Sequence, residues 1–266
     1  MASTYSIAAC LNYLRRPYFP AGREPVGEAA LRHLAQLLGI SLALIIVLSG
    51  VIGGLIASVN GGVPDNVNAQ LAETNPAMLL MLGVLFAPIL EEVIFRSWLG
   101  GPKACLLGLP VLASMAAVGT SATGPVSAFV SFAIAGFLCF MIFAIAQSYE
   151  RLSPESQKMA RWRLFPAVFY GSTGFFALSH LSNYEGGLSS PVMLLAVLPQ
   201  FLIGAVLGYV RMRFGLLPAI WFHALYNLVL VGLFIISQSL APASVADASA
   251  IILLPLETLV GALRAA

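Results

Sequence analysis

Apolar residues form long stretches along this chain, and short polar links separate them. A helix needs about 20 mostly apolar residues to cross a bilayer, within a range of about 17–25, and no alternating strand pattern competes with this interpretation. We predict eight spanning helices, at residues 37–59, 77–99, 104–119, 125–147, 165–181, 191–210, 215–237 and 249–263. The pattern therefore predicts an all-α, polytopic transmembrane helix bundle.

The placement of lysine and arginine supports the number of helices. Basic residues precede the first helix, follow the eighth, and occupy the links between helices two and three, four and five, and six and seven. The other links, at residues 60–76, 120–124, 182–190 and 238–248, contain none, so all 13 basic residues fall on one side. The positive-inside rule then predicts that both termini are cytoplasmic.

The first part of the chain is more polar than the rest. A signal peptide places its basic residues before its apolar core, whereas Arg15 and Arg16 follow a weak apolar stretch. We therefore expect residues 1–33 to remain as a polar N-terminal arm at the membrane interface. Residues 34–266 are expected to form a single transmembrane domain.

Three small local features predict details of packing. Gly204 and Gly208 form a small-xxx-small pair that lets helices approach closely. Pro88 lacks a backbone N–H and should kink the second helix. Cys10 and the other two cysteines are widely spaced and form no CxxC pair, so we predict small buried hydrophobes rather than disulfides or metal ligands.

The composition excludes several classes of protein. Hydrophobic residues make up 59% of the chain and charged residues 9%, and the mean hydropathy is +0.93. These values exclude disorder, which needs low hydrophobicity and high charge, and they argue against a soluble enzyme. A net charge of +2 offers no basic face for nucleic acid. The class that remains is a membrane protein that spans the lipid bilayer several times.

Ionisable residues inside spanning segments are candidates for function, because each costs about 2.5–3.5 kcal/mol on insertion scales. Four predicted helices contain them: Glu91, Glu92 and Arg96 in the second, His180 in the fifth, His223 in the seventh and Glu257 in the eighth. Glu257 has no motif around it, and we interpret it as an interfacial carboxylate. His33, at the mouth of the first helix, is interpreted as structural.

Glu91 and Glu92 do not share a helix face, because adjacent helical residues point about 100° apart. Glu92 and Arg96 are four residues apart with the acid first, which favours an ion pair. Glu91 has no such partner on its helix, and an unpaired carboxylate in a low-dielectric site suits a general base. The alternative is a structural ion pair beside a carboxylate at the cytoplasmic rim.

Two histidines add imidazole side chains to the carboxylates of the predicted bundle. His223 and Asn227 lie one turn apart, so an imidazole and an amide point one way and could hold a water or an oxyanion. His180 alone also fits an interfacial histidine bonded to a carbonyl, and so does His223. If these groups converge, they suit either a carboxylate and an imidazole that activate water, or a divalent metal on two histidines and a glutamate.

Three motifs occur in order along the chain: Glu91-Glu92-x-x-x-Arg96, Phe176-x-x-x-His180 and His223-x-x-x-Asn227. This set resembles the CPBP (CAAX protease and bacteriocin-processing, or Abi) family of intramembrane proteases, which is related to the type II CAAX prenyl endopeptidase. The motif-bearing core spans residues 77–237. One departure is the separation of Glu91 from His180, where residues 104–147 form a predicted inserted hairpin.

The resemblance implies a role for each residue. Glu91 would be the general base and would activate water together with His180, while His223 and Asn227 would stabilise the oxyanion. Glu92, Arg96 and Phe176 would support the site. Family members are often labelled metalloproteases, yet the glutamate mechanism needs no metal. No cofactor is therefore assigned, and a divalent metal such as zinc stays open, with Glu91, His180 and His223 as its ligands.

We therefore expect an intramembrane endopeptidase that hydrolyses a peptide bond near the cytoplasmic leaflet. Its substrate would be a peptide or protein, including membrane-anchored ones, and its location a bacterial inner membrane. The chain has no HExxH motif, and Asp65 and Asp247 both lie in predicted outer loops, which excludes site-2-type and aspartyl proteases. The alternatives are a proton-coupled transporter and a non-catalytic immunity or scaffold protein of the same fold.

The distance of His180 from the cytoplasmic end of its helix predicts where that helix begins. If the fifth helix began at residue 165, His180 would lie about 22 Å along it, whereas Glu91 and His223 lie about 12 Å from the cytoplasmic ends of theirs. We therefore expect the fifth helix to begin in the cytoplasm, near Arg161.

Overall fold

The computed structural model describes residues 5–60, 71, 73–101, 147–183 and 193–240, which are helical with short connections and contain no strand. The helices, in chain order, are α1 (Ile7–Arg15), α2 (Glu28–Asn60), α3 (Pro76–Arg96), α4 (Pro154–Ser179), α5 (Met193–Ala196), α6 (Leu198–Phe214) and α7 (Leu216–Leu240). Two 3₁₀ turns, Ser97–Gly100 and His180–Asn183, extend α3 and α4.

Four helices in the described part of the chain are long and apolar enough to cross a membrane. They are Glu28–Val59, Pro76–Arg96, Leu194–Phe214 and Leu216–Ser239. They confirm the first, second, sixth and seventh predicted spans, whereas α4, which contains most of the fifth, is not among these four. The predicted spans at 104–119 and 249–263, and the span at 125–147 except for its last residue, lie outside the described residues, as does the inserted hairpin.

Helix α4 begins well before the fifth predicted span. Ser153 caps its first turn by accepting a hydrogen bond from the Ser156 N–H at 3.2 Å, and Pro154 occupies the first helical position, where no intrahelical N–H is needed. The helix therefore starts before Arg161, as the depth of His180 required, and carries that histidine at its far end.

Helix α6 is the centre of the bundle. It contacts α1, α2, α4 and α7, and 61% of its most apolar window is buried, against 28–33% for the other three candidate spans. The other spans therefore turn most of their surface outward, as helices that face lipid do. The side chains of α6 accordingly set the distances between its neighbours.

Two glycines on α6 let α4 approach closely, as the small-xxx-small pair predicted. A Cβ atom placed on Gly208 would lie 2.7 Å from Cε2 of Phe169, and one on Gly204 would lie 2.9 Å from Cδ1 of Phe176. Both rings are fully buried. The two phenylalanines therefore occupy the space that side chains at these glycines would need.

The middle of α3 is not an ordinary α-helix. Leu80–Phe86 forms a π-helical segment, in which the N–H of Ala87 bonds to the carbonyl of Leu82 rather than that of Gly83. Pro88 follows directly and has no N–H to donate. In the same i to i−5 pattern, an N–H at position 88 would bond to the carbonyl of Gly83, so Pro88 leaves that carbonyl without a backbone donor. Such π segments are frequent at functional sites.

The segment predicted as a polar arm contains α1, which docks on the bundle. Ser6 caps this helix by accepting a hydrogen bond from the Ala9 N–H at 3.1 Å. The ring of Tyr13 packs against those of Phe169 and Tyr209, with centroids 5.8 and 5.4 Å apart. Cys10 is buried, as predicted, and burial raises the pKa of its thiol to about 12. The arm is thus part of the core.

Polar contacts join the rest of the arm to α6. The side chain of Glu24 lies 2.6 Å from that of Arg213, and its backbone N–H donates to the carbonyl of Arg213 at 2.8 Å. His33, on α2, lies 3.1 Å from the Tyr209 hydroxyl. The arm and the link between α6 and α7 therefore meet at one end of the bundle. The cytoplasmic assignment of that end stays a prediction.

We expect Gly208→Ala to lower the free energy of unfolding by about 1–3 kcal/mol, because the new methyl group would overpack the interface with Phe169. Denaturant titration of the detergent-solubilised protein would measure this. Gly39→Ala in α2 is the control, because a Cβ there meets no atom within 4 Å and the helix gains propensity. Equal stability of the two variants would contradict the packing argument.

Candidate active site

Two residues of the first motif form a buried ion pair on α3. Nε of Arg96 lies 3.7 Å from Oε1 of Glu92, and the two side chains are 1% and 0% exposed. Their spacing of four residues places them on the same face of the helix. The pair expected from the sequence is therefore present, and it lies inside the bundle rather than at its rim.

His223 on α7 contacts both carboxylates of α3. Its Nδ1 donates to Oε1 of Glu92 at 3.0 Å, and its Nε2 lies 3.6 Å from Oε2 of Glu91. The sequence offered Glu91 no partner on its own helix, and the partner comes from a different helix. Because adjacent side chains diverge by about 100°, Glu91 and Glu92 reach opposite nitrogens of one imidazole.

The contacts of His223 also bear on the charge of the cluster. With Nδ1–H donated to Glu92, Nε2 of His223 faces Glu91 at 3.6 Å, which is an ion-pair distance rather than a hydrogen bond. If both nitrogens carry a proton, the positive charges of His223 and Arg96 balance the two carboxylates. The cluster is then neutral as a whole, which reduces the cost of burying it.

Phe176 on α4 joins the second motif to this cluster. The guanidinium carbon of Arg96 lies 3.8 Å from the centroid of the Phe176 ring, which is a cation–π contact. The same ring lies 4.8 Å from the ring of His180 and 6.1 Å from that of His223. Phe176 is therefore the aromatic side chain that contacts all three.

His180 begins the 3₁₀ turn that follows α4. Its Nδ1 donates to the carbonyl of Phe176 at 2.9 Å, so a neutral His180 carries its lone pair on Nε2. This is the hydrogen bond to a carbonyl that the sequence allowed, and it leaves Nε2 able to act as a base. Within the part of the chain that the structure describes, His180 forms no ion pair or hydrogen bond with Glu91.

Asn227 satisfies the backbone group that Pro88 leaves without a donor. Its Nδ2 donates to the carbonyl of Gly83 at 2.8 Å. An amide nitrogen carries two hydrogens, so one remains for another acceptor. His223 and Asn227 lie one turn apart on α7, and both bond to α3. His223 bonds to the Glu92 side chain, and Asn227 bonds to the backbone carbonyl of Gly83.

Helix α6 packs against Arg96 and contributes two further contacts to the site. The sequence did not predict these contacts. Nη2 of Arg96 lies 3.5 Å from the carbonyl of Gly204, and a Cβ at Gly204 would lie 3.3 Å from that nitrogen. Nε of Arg211 donates to the carbonyl of Arg96 at 3.3 Å. The sequence placed Arg211 among the cytoplasmic charges, yet it is buried. Nothing in its local pattern indicated an inward orientation.

The described residues contain no group of three or more His, Cys, Asp or Glu side chains that could hold a metal. The ligand set proposed from the sequence, Glu91, His180 and His223, does not come together in that way. Both nitrogens of His223 face carboxylates, and Nδ1 of His180 is bonded to a carbonyl.

Comparison with known protein families covers the region that carries the three motifs. A protein-family model described as type II CAAX prenyl endopeptidase Rce1-like matches residues 73–229, more than half of the chain. The matched region includes all three motifs, from Glu91 to Asn227. No curated protein and no solved structure matches the chain.

We expect Glu92→Gln to lower the free energy of unfolding by about 3–5 kcal/mol, because it leaves Arg96 buried without its counter-charge. Unfolding of the detergent-solubilised variant would measure this. The matched control is Glu28→Gln, which breaks the exposed pair with Arg32 on α2 and should change stability little. Two variants of equal stability would show that the buried pair does not hold the site together.

Proposed function

The chain belongs to the Rce1-like family of type II CAAX prenyl endopeptidases, and on that premise we propose that it is an intramembrane endopeptidase. The observation that carries the proposal is the contact of one buried imidazole with two adjacent carboxylates, on helices that are long and apolar enough to span a membrane. Such a cluster can hold a mobile proton beside a fixed ion pair. Peptide hydrolysis by an activated water needs a group that accepts a proton from the water and returns it to the leaving amine.

In this proposal Glu91 is the general base. Its side chain is 27% exposed whereas that of Glu92 is fully buried, so water has access to Glu91 alone of the two. Glu91 takes a proton from a water molecule while the water oxygen attacks the carbonyl carbon of the substrate. His180 assists by accepting a hydrogen bond from that water through Nε2. Glu92 stays ionised between Arg96 and His223.

The same step frees a donor for the oxyanion. When Glu91 becomes neutral, the negative charge moves to the carbonyl oxygen of the tetrahedral intermediate. His223 loses its partner at Nε2 and donates that N–H to the new oxyanion, and the second amide hydrogen of Asn227 can join it. Each well-placed donor of this kind contributes a factor of about 10²–10³ to the rate. Glu92 fixes the orientation of the imidazole through its contact with Nδ1.

Collapse of the intermediate completes the reaction. The carbon–nitrogen bond breaks, the proton held by Glu91 moves to the leaving amine, and the products are a carboxylic acid and an amine. Glu91 is again a carboxylate and pairs with His223. No group of the protein is consumed, so the cycle can repeat.

The substrate and location are proposed from the same features. We place the cleaved bond near the cytoplasmic leaflet of a bacterial inner membrane, because the sequence distribution of lysine and arginine predicts that the links on one side of the bundle are cytoplasmic. The substrate would be a peptide or a membrane-anchored protein. Family membership favours this function over a proton-coupled transporter. A non-catalytic member of the family would show no cleavage that depends on Glu91.

We expect Glu91→Gln to lower the cleavage rate at least about 100-fold while the protein still folds and inserts, because an amide cannot accept the proton from water. Membrane and secreted peptides from cells that carry the wild type or the variant would be compared by mass spectrometry. The matched control is Glu73→Gln, which changes an exposed carboxylate three residues before the start of α3. Cleavage by Glu91→Gln at the normal rate would exclude the proposed base.

We also expect chelation to leave the activity unchanged, because the carboxylates of α3 face both nitrogens of His223. Purified protein would be assayed before and after dialysis against 1,10-phenanthroline, with metal content measured in parallel. A loss of activity that zinc restores would contradict the metal-free mechanism.

A further inference from the structure

A cleft of about 430 Å³ lies between the end of α1 and the N-terminal half of α4. It is lined by Arg16, Pro17, Tyr18, Arg163 and Pro166. The cleft is distinct from the buried cluster, because Arg163 precedes Phe176 by 13 residues on α4, or about 20 Å of helix. None of its residues takes part in the proposed hydrolysis.

The charge of the cleft is positive. Arg16 and Arg163 enter from different parts of the chain, and neither residues 1–23 nor residues 156–184 contain an aspartate or glutamate. A guanidinium presents paired N–H donors that match the oxygens of a phosphate. Tyr18, which is half-exposed, adds a hydroxyl donor. The lining therefore fits an anionic phosphate group.

Exposed apolar side chains lie close in sequence to residues that line the cleft. Leu164 follows Arg163 and is 60% exposed, and Val168, one turn further along the same face, is 41% exposed. Leu11 of α1 is also exposed. A free phosphate ion would use only the arginines, whereas a phospholipid would also lay its acyl chains along these side chains. The combination of charge and apolar surface favours the lipid.

We propose that this cleft binds the headgroup phosphate of an anionic phospholipid. The site lies where the arm is tied to the bundle, since the Tyr170 hydroxyl of α4 donates to the carbonyl of Leu14. Within the arm, the Tyr13 hydroxyl donates to the carbonyl of Tyr18 at 3.0 Å and holds the turn that contains Arg16. A bound headgroup bridges α1 and α4 through Arg16 and Arg163. It therefore stabilises the docked arm, whether or not the protein is a protease.

The test uses the purified full-length protein in micelles that contain phosphatidylglycerol or phosphatidylcholine. Native mass spectrometry would count retained lipid, and thermal unfolding would report stability. We expect selective retention of phosphatidylglycerol and a higher unfolding temperature with it. The variant Arg16→Gln/Arg163→Gln should weaken this retention by roughly 30-fold, the loss expected for two basic contacts to an anionic lipid.

The matched control is Arg15→Gln/Lys158→Gln, which removes the same charge from two exposed residues that do not line the cleft. Equal loss of lipid in this control, or full retention by the cleft variant, would overturn the proposal. So would equal stabilisation by inorganic phosphate alone. If the double cleft variant fails to fold, Arg163→Gln alone tests the same contact and should weaken retention roughly 5-fold.

Discussion

The buried charges of Glu92 and Arg96 impose the strongest constraint on this structure. A charge that cannot reach water must be compensated by groups of the protein, and removing one partner of a buried pair costs about 3–5 kcal/mol. The compensation comes from three other helices: the imidazole of His223 on α7, the ring of Phe176 on α4 and the carbonyl of Gly204 on α6. The ion pair therefore fixes how four helices are arranged, and the same contacts build the candidate site.

A second constraint acts on the backbone of α3. In a membrane an unsatisfied carbonyl has no water to bond, so only internal donors can serve it. The π segment and Pro88 together deprive Gly83 of a backbone donor, and Asn227 supplies one from α7. The break in α3 is thus stable only where α7 lies beside it. Asn227 and His223 are one turn apart, so the register that satisfies Gly83 also brings the imidazole to Glu91 and Glu92.

The sequence predicted what depends on a single helix. The lengths of the apolar stretches located α2, α3, α6 and α7, the spacing of Glu92 and Arg96 predicted their ion pair, and Gly204 and Gly208 predicted a close approach. It could not predict contacts between helices, because periodicity shows which face of a helix is apolar and not which helix will cover it. The partner of Glu91, the inward orientation of Arg211 and the docking of α1 all belong to this second class.

The adjacent pair Glu91-Glu92 shows how one short motif supplies two different carboxylates. The helical turn of about 100° sends Glu92 into the core, where Arg96 keeps it charged, and leaves Glu91 partly exposed. Both reach the same imidazole from opposite sides, so His223 links a buried, paired carboxylate to one that water can reach. In the proposed mechanism the two acids divide the work: Glu92 holds the imidazole in place, and Glu91 takes the proton from water. That division gives each of the two adjacent acids its own role in a segment where each is costly.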